Sequence, residues 1–266
     1  MTDRAPLGGL RAVVTRPREG ARALVDGLVG AGAEVIVAPL VSIEDPESWA
    51  PLDSSIEALR SGSYEWVAFP SANSVRKVLG RLDAAGESIP AGTRVAVVGP
   101  STARLLEARG IAVDLIPEPH TSDALASSIG EGRGRVLLPR VADGPRAFPD
   151  ALASLGWEVD EVPAYRNVPL GPAAAGVDRI VSGDFDVMTL ASASAARNLA
   201  ALVPPPAIGL QPGAGTAKTV ACIGPSTAEA ARTGGLRVDV VAGVHTAEGL
   251  VRAIIAHLEK GGTIGA

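Results

Sequence analysis

Short apolar runs alternate with longer stretches whose apolar residues recur at helical spacing, from one end of the chain to the other. Continuous apolar runs predict strands over residues 11–15, 33–40, 66–69, 94–98 and 113–116. Amphipathic stretches predict helices over 21–30 and 51–62, then from Pro70-Ser71-Ala72-Asn73-Ser74 through Leu82, from Gly99 to near Gly110, and from His120-Thr121-Ser122-Asp123 through Ile129. Arg16-Pro17-Arg18-Glu19-Gly20 reads as the turn between the first strand and the first helix, and Pro39 marks the second strand as an edge or an isolated ribbon.

The pattern then restarts. Arg135-Val136-Leu137-Leu138-Pro139-Arg140 lines up with Arg11-Ala12-Val13-Val14-Thr15-Arg16. The same displacement pairs Gly144 with Gly20, Asp150 with Asp26, Glu158 with Glu34 and Pro163 with Pro39. With small loop changes, Ser192-Ala193-Ser194 matches Ser71-Ala72-Asn73, and Gly224-Pro225-Ser226-Thr227-Ala228 matches Gly99-Pro100-Ser101-Thr102-Ala103. His245-Thr246 matches His120-Thr121. The period is too long for a solenoid, so the chain is a duplication of an α/β unit. Strands alternating with helices over short connections indicate parallel sheets covered on both faces.

The Pro-bearing segments 34–42 and 158–167 occupy equivalent places and are candidates for a two-stranded linker ribbon. That arrangement predicts a discontinuous first lobe, 1–38 plus 167–266, and a second lobe over 42–160. Two sequential lobes are the alternative.

Each Gly-Pro-Ser-Thr copy follows an apolar run and opens a helix. Gly permits a tight turn, and Pro suits the first helical position. Such a start leaves backbone N–H groups unpaired at the positive end of the dipole, a site for carboxylate or phosphate. A plain helix cap is the competing reading. The junctions Arg16, Ser71-Ala72-Asn73, Gly99 to Thr102 (with Ser101), Arg140, Ser192-Ala193-Ser194 and Gly224 to Thr227 (with Ser226) all fall beyond carboxyl ends of strands, where open α/β sheets bind ligands. If two lobes face each other, these junctions line one cleft suited to a large, flexible polyanion. Tyr165 stands alone in the ribbon at the mouth of that cleft, as a packing residue or as a functional hydroxyl.

Composition narrows the classes. The chain has 266 residues, 47% of them hydrophobic but only 3% aromatic, so its cores are built from Ala, Val, Leu and Ile. A net charge of −5 argues against a nucleic-acid binder. The single cysteine, Cys222, excludes an internal disulfide and a multi-cysteine zinc site and reads as a buried small hydrophobe. His120 and His245 read as capping or packing residues rather than metal ligands. No G-x-G-x-x-G or Walker pattern is present, which disfavours nucleotides. Without a signal-like segment or an apolar run of membrane-spanning length, a cytoplasmic, non-membrane protein is expected.

Taken in order, Val14-Thr15-Arg16-Pro17, Phe69-Pro70-Ser71-Ala72-Asn73, Val98 to Thr102, Leu138-Pro139-Arg140, Tyr165, Ile223 to Thr227 and His245 to Leu250 resemble the uroporphyrinogen-III synthase family over nearly the whole chain. No single motif is specific; their order and spacing are. The resemblance implies two flavodoxin-like parallel-sheet lobes joined by a β-ribbon. It implies a lyase of porphyrin and heme biosynthesis that closes the linear tetrapyrrole hydroxymethylbilane to uroporphyrinogen III, with ring D inverted and water lost. No cofactor and no metal are implied. It also implies that Tyr165 assists loss of the hydroxyl and that Ser71, Thr102, Ser192 and Thr227 line the substrate site. In Leu190-Ala191-Ser192, Ala191 stands where many relatives carry Thr, so that hydroxyl is not carried over. A monomer in transient contact with the enzyme of the preceding step is expected. A non-enzymatic tetrapyrrole or anion sensor, or a two-lobed binding protein of periplasmic type, would share the fold; no basic DNA-binding segment supports the first and no export signal supports the second.

Overall fold

The computed structural model describes residues 5–261. The chain builds ten strands and ten α-helices among them: β1 Arg11–Val14, α1 Arg18–Gly30, β2 Glu34–Val37, β3 Val41–Glu44, α2 Ala50–Arg60, β4 Trp66–Phe69, α3 Ala72–Ala85, β5 Arg94–Val97, α4 Pro100–Glu107, α5 Ser122–Ile129, β6 Arg135–Val141, α6 Ala147–Ser154, β7 Glu158–Pro169, α7 Val177–Val181, β8 Val187–Leu190, α8 Ala193–Leu202, β9 Thr219–Cys222, α9 Pro225–Thr233, β10 Val240–Val241 and α10 Ala247–Gly261. They form two compact units. One contains the described residues up to Ser42 and those from Val168 on; the other is Ile43–Asn167.

The first unit holds a five-stranded sheet in the order β10-β9-β8-β1-β2. All its pairings are parallel. Counted within the unit, this is the 2-1-3-4-5 order of flavodoxin-like sheets. The second unit holds the order β3-β7-β6-β4-β5. Its last four strands repeat the 2-1-3-4 part, but the chain enters at the third strand and finishes on the first two. The duplication has thus been threaded so that the first unit is interrupted and the second is circularly permuted. Continuous apolar strands suit this burial on both faces: β4, β8 and β9 are buried at every position. In the second unit, one face of the sheet packs Val67, Phe69, Val97 and Leu137 against α2, α3 and α4. The other packs Trp66, Ala68, Val136 and Leu138 against α5 and α6.

Three sequence expectations are corrected. Residues 34–37 are not linker ribbon: they form β2, the edge of the first sheet, which ends before Pro39. Only β3, after that proline, lies beside β7. The turn expected over residues 17–20 is already helical from Arg18, because Pro17 serves as the N-cap. The strand expected over 113–116 reduces to one bridge, Ala96 to Leu115, whereas its counterpart in the first unit keeps two residues as β10.

Candidate functional site

In each flavodoxin-like sheet the strand order reverses beside the first strand, and ligands of such sheets bind at that reversal, beyond the carboxyl ends of the strands. In the first unit the reversal lies between β1 and β8, and Arg16 and Ser192 each lie two residues beyond the ends of these strands. In the second it lies between β6 and β4; Arg140 is the penultimate residue of β6, and Ser71 lies two residues beyond β4. The sequence-chosen junctions therefore divide into two matched sets, one per unit.

The helix starts at these junctions share a local design. Ser71 caps α3, its Oγ accepting from the Ser74 N–H at 3.2 Å, and Ser192 caps α8 through the Ala195 N–H at 3.1 Å. Gly99 and Gly224 are the N-caps of α4 and α9, each followed by Pro at the helix start. Their φ angles, −156° and −174°, are ordinary extended backbone, so a tight turn does not explain the glycines. At Gly224 space does: a Cβ there would sit 3.2 Å from Cδ2 of His245, whereas one on Gly99 would make ordinary contact, 3.7 Å from Cβ of His120. Each exposed histidine thus lies over the glycine of its own unit. Of the capping and packing roles the sequence left open for these histidines, the structure shows packing; the caps are Thr121 and Thr246, whose Oγ1 atoms accept from Ala124 and Gly249 N–H at 3.2 and 3.1 Å.

Acidic residues are placed unevenly. The first turns of α2, α5, α6, α7 and α10 contain Asp53, Asp123, Asp150, Asp178 and Glu248, the usual complement to the helix dipole. Those of α3, α4, α8 and α9 contain none. The four junction helices are the ones that leave their positive ends uncompensated. Ser101, Ser192 and Ser226 are exposed there, Ala72, Asn73, Ala193 and Ser194 are half-buried, and Thr102 and Thr227 are buried in the first turns of α4 and α9.

The two arginines differ. Arg16 is half-buried and packs over Gly20, where a Cβ would lie 3.6 Å from its Nε. Arg140 is buried and committed: Nη1 donates to Glu161 at 2.7 Å and Nη2 to the Pro145 carbonyl at 2.6 Å. Gly144 makes room for it, since a Cβ there would come within 2.2 Å of Nη2. Glu161 also holds Arg146 at 3.0 Å. Sequence reasoning missed Glu161; its place four residues before Tyr165 on a strand facing Arg140 was the only signal.

Tyr165 does not stand alone. It is 6% exposed, and its hydroxyl lies 3.1 Å from Ser71 Oγ. A register shift puts it there. Along β6 and β7, Pro139 pairs Val162 and Arg140 pairs Pro163, but Val141 pairs Tyr165, leaving Ala164 as an extra residue. The Ala142 N–H then donates to the Tyr165 carbonyl at 2.9 Å. Val162 shares the α3 side of the sheet with Leu137. Strict alternation would send Tyr165 to the opposite, Arg140 side. The bulge returns it to the α3 side, where Ser71 waits. Pro163, which has no N–H for the ladder, lies just before the extra residue. Burial pushes the Tyr165 phenol above its ordinary pKa, while hydrogen bonding to Ser71 and Asn73 and the nearby Arg140 charge pull it back.

Fold and site together define a duplicated α/β protein of the flavodoxin-like kind, with helix starts free of first-turn acids in both units and a buried tyrosine in one. The sequence profile described as "Uroporphyrinogen-III synthase HemD" matches residues 22–252. The chain is 32% identical over 259 residues to the uroporphyrinogen-III synthase of Synechococcus elongatus, covering 94% of this chain and 96% of that one. It is 27% identical over 237 residues to that of Chlorobaculum parvum, covering 86% and 91%. The chain belongs to the uroporphyrinogen-III synthase family. A crystal structure of a mutant uroporphyrinogen III synthase from Thermus thermophilus matches the fold with a TM-score of 0.68 at 19% identity, over 95% of this chain and 100% of that one. The corresponding Helicobacter pylori structure matches at 0.60 and 12%, over 93% and 98%. No helix among the described residues is long and apolar enough to cross a membrane.

Proposed function

We propose that this chain closes hydroxymethylbilane to uroporphyrinogen III, inverting ring D and releasing water. The observation that carries the reading is the set of four junction helix starts without an acidic first turn. The substrate bears acetate and propionate groups along its length, and each unit offers backbone N–H groups at positive helix ends to hold them. The chemistry asks little else of the protein. The substrate's own pyrrole nitrogen assists ionisation to an azafulvene. What must be supplied is orientation, so that the substituted carbon of ring D meets the azafulvene and forms the spiro intermediate. Orientation of this kind contributes roughly 7–11 kcal/mol to lowering a barrier.

Tyr165 is the proton donor in this reading. The C–O bond of the hydroxymethyl group breaks, its electron pair stays with oxygen, and the phenol proton completes a departing water. The carbon that later closes the macrocycle gives up a proton, which restores the phenol. Arg140, spent on Glu161 and Pro145, serves as a fixed charge beneath the junction, and Arg16 as a contact for a substrate carboxylate. The protein acts as a monomer that receives its substrate from the enzyme of the preceding step.

Ser226→Asp tests the reading, because it places an acid in the first turn of α9. Helix dipole compensation should add about 0.3–1 kcal/mol to stability, while KM for hydroxymethylbilane rises several-fold. A stabilised variant with unchanged KM would contradict the role given to that helix start.

A further inference from the structure

The neighbours of Ser71 decide how its hydroxyl can be used. Its Oγ accepts from the Ser74 N–H at 3.2 Å, lies 3.1 Å from Ser74 Oγ and lies 3.1 Å from the Tyr165 hydroxyl. Ser74 has already given its own hydroxyl proton to the Ser71 carbonyl at 2.7 Å. At the contact between the two serines, only Ser71 therefore has a proton to offer. A hydroxyl carries one proton, and Ser71 has two places for it: Ser74 Oγ or the Tyr165 oxygen. Facing Ser74, Ser71 can accept the phenol proton. Facing Tyr165, it makes the phenol oxygen an acceptor and releases the phenol proton for another partner.

The sister unit shows that the helix cap needs none of this. Ser192 caps α8 in the same way, yet Ala195 stands where Ser74 does, and the residue that the repeat displacement matches to Tyr165 in sequence is Val41. The second serine and the tyrosine occur together in one unit and are both missing from the equivalent places in the other.

We propose that Ser71 is a positioning residue for Tyr165, its hydroxyl turning from Ser74 to the phenol oxygen as Tyr165 gives up its proton. This rests on Tyr165 being the acid in the reaction above. No bond to Ser71 breaks: the Tyr165 O–H bond breaks, its proton leaves with the substrate hydroxyl as water, and the Ser71 O–H swings to the negative oxygen left behind. The direction in which Ser71 acts on the phenol pKa agrees, since its hydrogen bond favours the ionised form.

The chain has two tyrosines, so uniform fluorotyrosine labelling gives two fluorine signals, and Tyr165→Phe assigns them. Fluorination also brings phenol titration down to a range the fold tolerates. In the full chain without substrate, Ser71→Ala should raise the Tyr165 midpoint by about one unit. Ser192→Ala, which removes only a cap, should leave it in place, and Ser71→Thr should restore it. In turnover, Ser71→Ala should lower kcat about tenfold with KM changed less than twofold. An unmoved Tyr165 midpoint in Ser71→Ala, or a loss confined to KM, would overturn the proposal. Full turnover by Tyr165→Phe is a different result: it would remove the acid itself, whatever the titration showed.

Discussion

At the scale of single residues, the proposed acid is one phenol. Tyr165→Phe removes that proposed proton donor but keeps the ring that fills the β7 position. It should slow kcat roughly 10²-fold with little change in KM, measured by steady-state turnover. The other tyrosine has a structural task. Tyr64 donates to Asp160, with the Arg135 guanidinium over its ring at 4.9 Å, and burial together with that carboxylate pushes its pKa up to about 12. A raised folded pKa means that its stabilisation is complete below the unfolded value near 10 and is lost as pH rises toward 12. Thermal melts across that window should show Tyr64→Phe flattening the fall in stability. Around Arg140 the expected effect is asymmetric. Arg140→Ala leaves Glu161 still paired with Arg146, whereas Glu161→Ala strands a buried guanidinium. Glu161→Ala should therefore cost more, up to about 3 kcal/mol, read from denaturant midpoints.

At the scale of elements, the helix starts carry the design, and the sequence made their positions plain but not their reasons. The repeated Gly-Pro-Ser-Thr stretches located α4 and α9 correctly. The glycines, however, suggested a tight turn, and the backbone there is extended. What Gly224 accommodates is a histidine some twenty residues downstream, which no local pattern reveals. Gly224→Ala should accordingly perturb its junction more than Gly99→Ala, since the Cβ meets the His245 ring at 3.2–3.3 Å against 3.7 Å for the His120 Cβ. Pairing Gly224→Ala with His245→Ala should recover the loss, checked by thermal midpoint and by KM. The surroundings of Tyr165 were hidden for a related reason. Alternation along β7 says which face a residue takes only if the register is regular, and the extra residue at Ala164 exists only in the pairing with β6. The split of 34–42 into an edge strand and β3 was hidden likewise, because an edge proline and a ribbon proline look the same in sequence.

At the scale of the whole molecule, the duplication was the most legible feature, since matched Arg, Gly, Pro and Gly-Pro-Ser-Thr positions need no coordinates to be seen. The circular permutation of the second sheet was not spelled out by that pattern; it appears once strand order is known. The consequence is that both units present equivalent strand ends, while only one carries the Ser71, Ser74 and Tyr165 trio. In the proposed reaction this gives duplicated binding groups and a single acid, which suits a long substrate held at many carboxylates in which one C–O bond breaks. The most direct test is to incubate the purified chain with freshly prepared hydroxymethylbilane and separate the product isomers. Uroporphyrinogen III, formed faster than spontaneous closure, is the predicted outcome; recovery of only the uninverted isomer would contradict it.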